Sequence, residues 1–193
     1  MSVAYGNADK RRHIVETAYV LFKRHGFHAT GIDRIIADAQ IAKMTMYRHF
    51  PSKDGLIVAV LDHRASRFER QLDRLAERVA TPEQKIMTIF DWYERWFQRP
   101  DFHGCLFAHA LAEFGDPDHA VFKAALGQKN SLKQRMRLIL EPTVAGPSAE
   151  GIAATLLMLL EGATLLAQMG QGATAIAEAK RAALKLLRSA TVQ

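Results

Sequence analysis

A chain of 193 residues, 49% hydrophobic and 24% charged, can bury a sizeable core as one large or two small domains, and its composition is neither disordered nor fibrous. The net charge of +6 is uneven, since residues 1–80 hold 14 Lys+Arg against 9 Asp+Glu while residues 81–193 hold 12 against 11. A single cysteine, Cys105, excludes an internal disulfide framework and a cluster built on several thiolates, and the first ten residues carry no apolar signal core, which points to the cytoplasm.

Apolar spacing predicts helices almost throughout and no strand. Residues 9–25 place Ile14, Ala18, Leu21 and Phe22 at helical intervals and stop at Gly26. Thr30, followed three residues later by Asp33, forms a near capping box, and Ile32, Ile35 and Ile36 make the inward stripe of a short helix. After a tight turn, a second short helix puts Met46 and Phe50 on its buried face and Lys43, Met44, Tyr47 and Arg48 on the opposite one. That outer face is short, basic and aromatic, and it suits the major groove of DNA: Lys and Arg find phosphates and guanine edges there, and Met can meet a thymine methyl. The positive excess lies in the same part of the chain.

Ser52 is expected to cap a long helix over 52–79 whose apolar residues run from Leu56 and Ile57 to Leu75 and Val79. Thr81-Pro82-Glu83 starts the next helix with Pro at its first position and marks a boundary. Helices are expected at 82–98, 103–114, 117–140, 148–169 and 173–190, punctuated by Arg99-Pro100, Gly115-Asp116-Pro117, Pro142, Gly146-Pro147 and Gly170.

Ala-Lys-Met-Thr-Met-Tyr-Arg-His-Phe-Pro-Ser-Lys, positions 42–53, resembles the recognition-helix signature of TetR/AcrR-type transcriptional regulators, in the pattern Thr45-x-Tyr47-x-His49-Phe50-x-x-Lys53. Three positions depart from it: Gln40 replaces the usual turn Gly, Ala42 a capping Ser, and Met44 a Gly or other small residue. If Gln40 takes the positive φ of that Gly, it carries strain of about 1 kcal/mol, and Ala42 forgoes about 1 kcal/mol of capping. The resemblance implies an all-α protein with an N-terminal three-helix DNA-binding head over 1–55 containing the helix-turn-helix, and a helical ligand-binding and dimerisation body over 56–193. It implies a dimeric repressor of a palindromic operator in double-stranded DNA, released by an unknown small-molecule effector. Thr30, Thr45, Tyr47, His49 and Lys53 are expected to hold phosphates, and Lys43, Met44, Tyr47 and Arg48 to face base edges.

The body carries no enzyme signature: no Gly-rich phosphate loop, Gly-x-Ser-x-Gly elbow or His-Glu-x-x-His, so neither catalysis nor a cofactor is expected. His103, His109, Asp116, Asp118 and His119 are the densest possible metal ligands, but their spacing reads as solvated turn residues and no metal is expected. Nine of the sixteen aromatics fall within residues 90–122, and Phe90, Tyr93, Trp96 and Phe97, with Cys105 and His109, are candidate linings of an effector pocket. Cys105, at an expected helix start, is also a candidate sensor of oxidants or electrophiles, as in a branch of the family. Leu156, Leu160, Ala163, Leu184 and Leu187 are expected to form a dimer seam in a four-helix bundle. The most apolar run, Ile152–Leu166, reads as too short and too polar to span a bilayer, so no membrane partner is expected. The competing reading is an intracellular binding or redox-sensing module whose head docks protein instead of DNA.

Overall fold

A computed structural model describes residues 7–144 and 146–190, and among the described residues there are helices and turns and no strand. Helix α1 (Asn7–His25) buries Ile14, Val15, Ala18, Leu21 and Phe22 and ends with Lys23, Arg24 and His25, cations that suit the negative end of a helix. Gly26 stops it at φ 81, its N–H returning 2.9 Å to the Phe22 carbonyl. Two short helices follow, α2 (Ile32–Asp38) and α3 (Lys43–His49), and α4 (Lys53–Ala76) begins where Ser52 Oγ accepts from the Gly55 amide at 3.0 Å.

The capping box at Thr81 is complete: Thr81 Oγ1 accepts from the Gln84 amide, Gln84 Oε1 accepts from the Thr81 amide, and Pro82 opens α5 (Pro82–Phe97). The remaining helices are α6 (Leu106–Glu113), α7 (Ala120–Leu140), α8 (Gly146–Leu166) and α9 (Gly172–Ala190). Two start later than their sequence suggests. Gly104 takes φ 84 just before α6, and the Asp116 carboxylate accepts from the Asp118 amide at 2.9 Å, so this side chain closes a turn where the helix was expected. Between α8 and α9, the segment Ala167–Gln171 is a wide turn broken at Gly170, where φ is 84.

The described residues cluster into two compact units. One gathers those up to Arg67 with Leu106–Gly127, so α6 and the start of α7 cluster with the N-terminal helices. Its core includes Ile14, Phe22, Phe27, Ile35, Met46, Leu56 and Ala110, all fully buried. The other gathers Phe68–Cys105 with the residues from Gln128 onward, around Leu72, Ile86, Phe90, Met136, Leu156, Leu160 and Ala183. In this unit α9 packs against α5 and α8.

The expectation that the late apolar run is too short and polar for a bilayer is corrected. Gly146–Ala190 contains a window of mean hydropathy 1.6, long and apolar enough by length and composition. Its threonines do not prevent this, because Thr155 and Thr164 hydroxyls donate to the Gly151 and Leu160 carbonyls one turn back. Its apolar side chains also serve a protein interior: Ile152, Ala153, Leu156 and Leu160 lie in the core of the second unit.

Candidate nucleic-acid interface and effector site

The turn before α3 is held by backbone geometry. Gln40 takes φ 52, as expected of the residue in the Gly position, and its N–H and that of Ile41 donate to the Ala37 and Ile36 carbonyls. Ala42 is the N-cap of α3 and offers no side-chain acceptor. The wedge is therefore apolar: Ile35, Met46 and Phe50 are buried and fix the rotation of α3 about its axis.

That rotation sends the other face outward. Met44 is 74% exposed and Tyr47 40%, with Lys43 and Arg48 exposed beside them. Lys43 Nζ stands 3.6 Å from Asp33 Oδ1 of α2, an exposed pair worth little to stability. Thr45 and His49 are half-buried at the flanks, and Lys53, also half-buried, donates from Nζ to the His28 carbonyl at 3.3 Å. The Arg11 guanidinium stacks 4.9 Å over the Phe50 ring.

Thr30 does not fit the role expected of it. Its side chain is fully buried, with Oγ1 donating to the Gly26 carbonyl at 2.7 Å, and the N-cap of α2 is Gly31, which makes no side-chain cap. A buried, committed hydroxyl cannot reach a phosphate. Thr30 instead closes the turn that follows α1.

The same turn is gripped by Glu113, a residue the sequence does not single out for this role. Its carboxylate accepts from the Phe27 and His28 amides at 3.0 and 2.7 Å, and His28 Nε2 donates to the Glu113 carbonyl at 2.9 Å. Phe114 lies between two imidazoles, 4.6 Å from His28 and 4.9 Å from His119. His119 accepts from the Val121 amide at Nδ1 and faces Asp54 Oδ2 with Nε2 at 3.3 Å. Partners 85 residues apart in the chain leave no local pattern to read.

In the second unit the aromatics pack on one another. Trp92, Tyr93, Trp96, Phe97 and Phe102 form a run of edge and tilted contacts, with Trp96 and Phe102 centroids 4.9 Å apart. Phe90 and Tyr93 are buried core members, whereas Trp96 and Phe97 are half-buried. Cys105 is buried just before α6, and His109, half-buried, belongs to the other unit.

Cys105 has a charged neighbour. Lys129 Nζ, on α7, donates to its Sγ at 3.2 Å and to Glu161 Oε1 at 2.6 Å. Burial, the largest influence on Lys129, pulls its pKa down, but Cys105 and Glu161 outweigh it and leave the ammonium above its ordinary value. Tyr93 is raised well above its ordinary value, chiefly by burial and then by Cys105 and Glu161. Thiol, ammonium, carboxylate and phenol thus share one electrostatic environment. Lys129 and Glu161 carry no motif, and only the fold reveals them.

The expected dimer seam is corrected by burial at four of its five positions. Leu156, Leu160, Ala163 and Leu187 face their own chain's core and hold the unit together from within, while Leu184 is half-buried. The outward apolar residues are Met158, Leu165, Leu166 and Met169. Met158, Gly162, Leu166, Thr174 and Ala182 line a shallow groove of about 390 Å³ along α8 and α9. Among the described residues, no group of three or more His, Cys, Asp or Glu side chains is placed to hold a metal ion.

Residues 14–60 match the family profile of bacterial regulatory proteins of the tetR family, and residues 82–183 match that of the tetracyclin repressor-like C-terminal domain. The transcriptional repressor KstR of Mycobacterium tuberculosis is 31% identical over 91 residues, 47% of this chain and 41% of the relative. The chain thus spans less than half the length of that relative. A TetR-family transcriptional regulator from Streptomyces coelicolor has a solved structure that superposes with a TM-score of 0.89 at 27% identity, covering 95% of this chain and 97% of the other. CifR, solved with a 26-base-pair double-strand operator DNA, shares the fold with a TM-score of 0.76 at 19% identity, covering 94% and 99%. The second profile alone covers more than half of this sequence, and the chain belongs to the tetR family of bacterial regulatory proteins.

Proposed function

We propose that this regulator is a cytoplasmic homodimeric repressor that binds a palindromic operator through α3 and is released by a small molecule bound in the helical body. One observation carries the reading: Lys43, Met44, Tyr47 and Arg48 stand together on the outward face of α3, while Met46 and Phe50 hold its other face in the core. The head, residues 1–55, supplies base and phosphate contacts, with Thr45, His49 and Lys53 flanking the helix on the phosphate side. The body, residues 56–193, supplies the effector site near Trp96, Phe97 and Cys105. It also pairs with a second copy through the outward face of Met158, Leu165, Leu166 and Met169.

A two-headed protein on a palindrome gains specificity that one seven-residue helix lacks. The binding is tested by fluorescence anisotropy on inverted repeats flanking the gene, titrated with salt. Affinity should fall linearly in log–log form with salt, because phosphate contacts release counterions. Affinity for duplex that is insensitive to salt would favour a head that docks protein instead.

A second reading has an observation of its own in the Lys129 ammonium 3.2 Å from Cys105 Sγ. Electrophiles and peroxides react at a cysteine sulfur. On this reading such a reagent is the effector and Cys105→Ser binds DNA yet ignores it. A thiol that resists alkylation until the protein unfolds, with operator retained under oxidant, would leave a reversible ligand as the effector.

A further inference from the structure

We propose that Met44 makes this regulator select a thymine in each half-site by packing on its 5-methyl group. The inference rests on the reading of α3 as the helix that enters the major groove. Among the described residues Met44 is the most exposed of the large apolar side chains, at 74%. It is the second residue of α3, and the first turn of a recognition helix is the part that meets base edges. Tyr47, one turn on, continues the same apolar strip.

Its neighbours narrow what Met44 can do. Lys43 and Arg48 carry the positive charge of this face, and Met44 beside them presents a thioether without a formal charge. A thioether neither neutralises a phosphate nor donates to a guanine or adenine edge. In the major groove the apolar group among the four base pairs is the thymine methyl, which places a CH3 where cytosine has only a hydrogen. Met is unbranched and soft, so it reaches that methyl without demanding one backbone geometry.

The full-length chain is used to select duplexes from a random pool, and the recovered sites are remade with deoxyuridine in place of thymidine, a change that removes the methyl and keeps every hydrogen-bonding group. The expected result is a thymine enriched at one fixed position of each half-site, where deoxyuridine weakens wild-type binding by about fourfold, the worth of one buried methyl. Met44→Ala should lose both the enrichment and the deoxyuridine penalty while keeping the wild-type salt dependence, because no phosphate contact is removed. Met44→Gln, of similar length but polar, should lose them too. Circular dichroism on both variants checks that the exposed position leaves the fold intact.

Salt-dependent binding with no deoxyuridine effect, or an equal effect in wild type and Met44→Ala, overturns the proposal while leaving α3 as the DNA-reading helix. Failure to recover any bound duplex overturns both.

Discussion

Tyr47 and Lys43 project from α3 away from the core, and neither is needed to hold the helix in place. Tyr47→Ala and Lys43→Ala should each weaken operator binding by about 1–3 kcal/mol and leave the far-ultraviolet circular dichroism unchanged. Lost helicity in either variant would mean that the outer face has been misassigned. Glu113 carries the opposite expectation. Glu113→Ala removes an acceptor that serves two backbone amides and should lower unfolding stability by about 2–3 kcal/mol in denaturant titration.

At the polar cluster of the body the effect depends on pH. Lys129 and Tyr93 both have folded pKa values above their ordinary 10.5 and 10.0, so the native state holds these protons more tightly than the unfolded chain. Their stabilisation is complete below those ordinary values and is lost as pH rises through the higher folded ones. Urea unfolding followed from neutral pH to above pH 10 should show this alkaline loss, reduced in a Lys129→Met, Tyr93→Phe double variant. An equally steep loss in that variant would assign the alkaline transition to other groups.

At the level of the helix-turn-helix, the turn carries strain that its wedge must hold. Gln40 has a Cβ in the left-handed region at φ 52, a conformation glycine adopts freely. Gln40→Gly should therefore stabilise the protein by about 0.5–1 kcal/mol, read as a rise in Tm, although glycine's greater unfolded-state freedom offsets part of the gain. Unchanged or reduced stability would mean that the Gln40 side chain contributes contacts of its own. Ala42 adds a missing cap at the next junction, and Met46 and Phe50 compensate by packing.

For the whole molecule, the distinction between core and outward apolar residues on α8 decides what a mutation does. Met158→Glu with Leu165→Glu places charges on the exposed face and should give helical monomers in sedimentation that no longer bind a palindromic site. Leu160→Glu instead buries a carboxylate inside the chain's own core and should unfold the second unit. A folded, monomeric Leu160→Glu variant would show that the seam runs through the positions expected from the sequence after all.

The sequence by itself determined the helical class, the position of the helix-turn-helix, the outward face of α3 and the two helix caps at Ser52 and Thr81, because each is written within a few turns of one helix as apolar period, cap or turn residue. Tertiary structure alone decided the rest. Thr30 has the residue type of a cap, but the Gly26 carbonyl takes its hydroxyl. Leu156 and Leu160 read as surplus apolar surface until packing of α8 in the second unit's core claims them. Glu113 and Lys129 acquire their roles from partners far away in sequence. Local periodicity states which face of a helix is apolar; which apolar face meets its own chain, and which charge finds a distant amide or thiol, depends on contacts that form only when the chain folds back on itself.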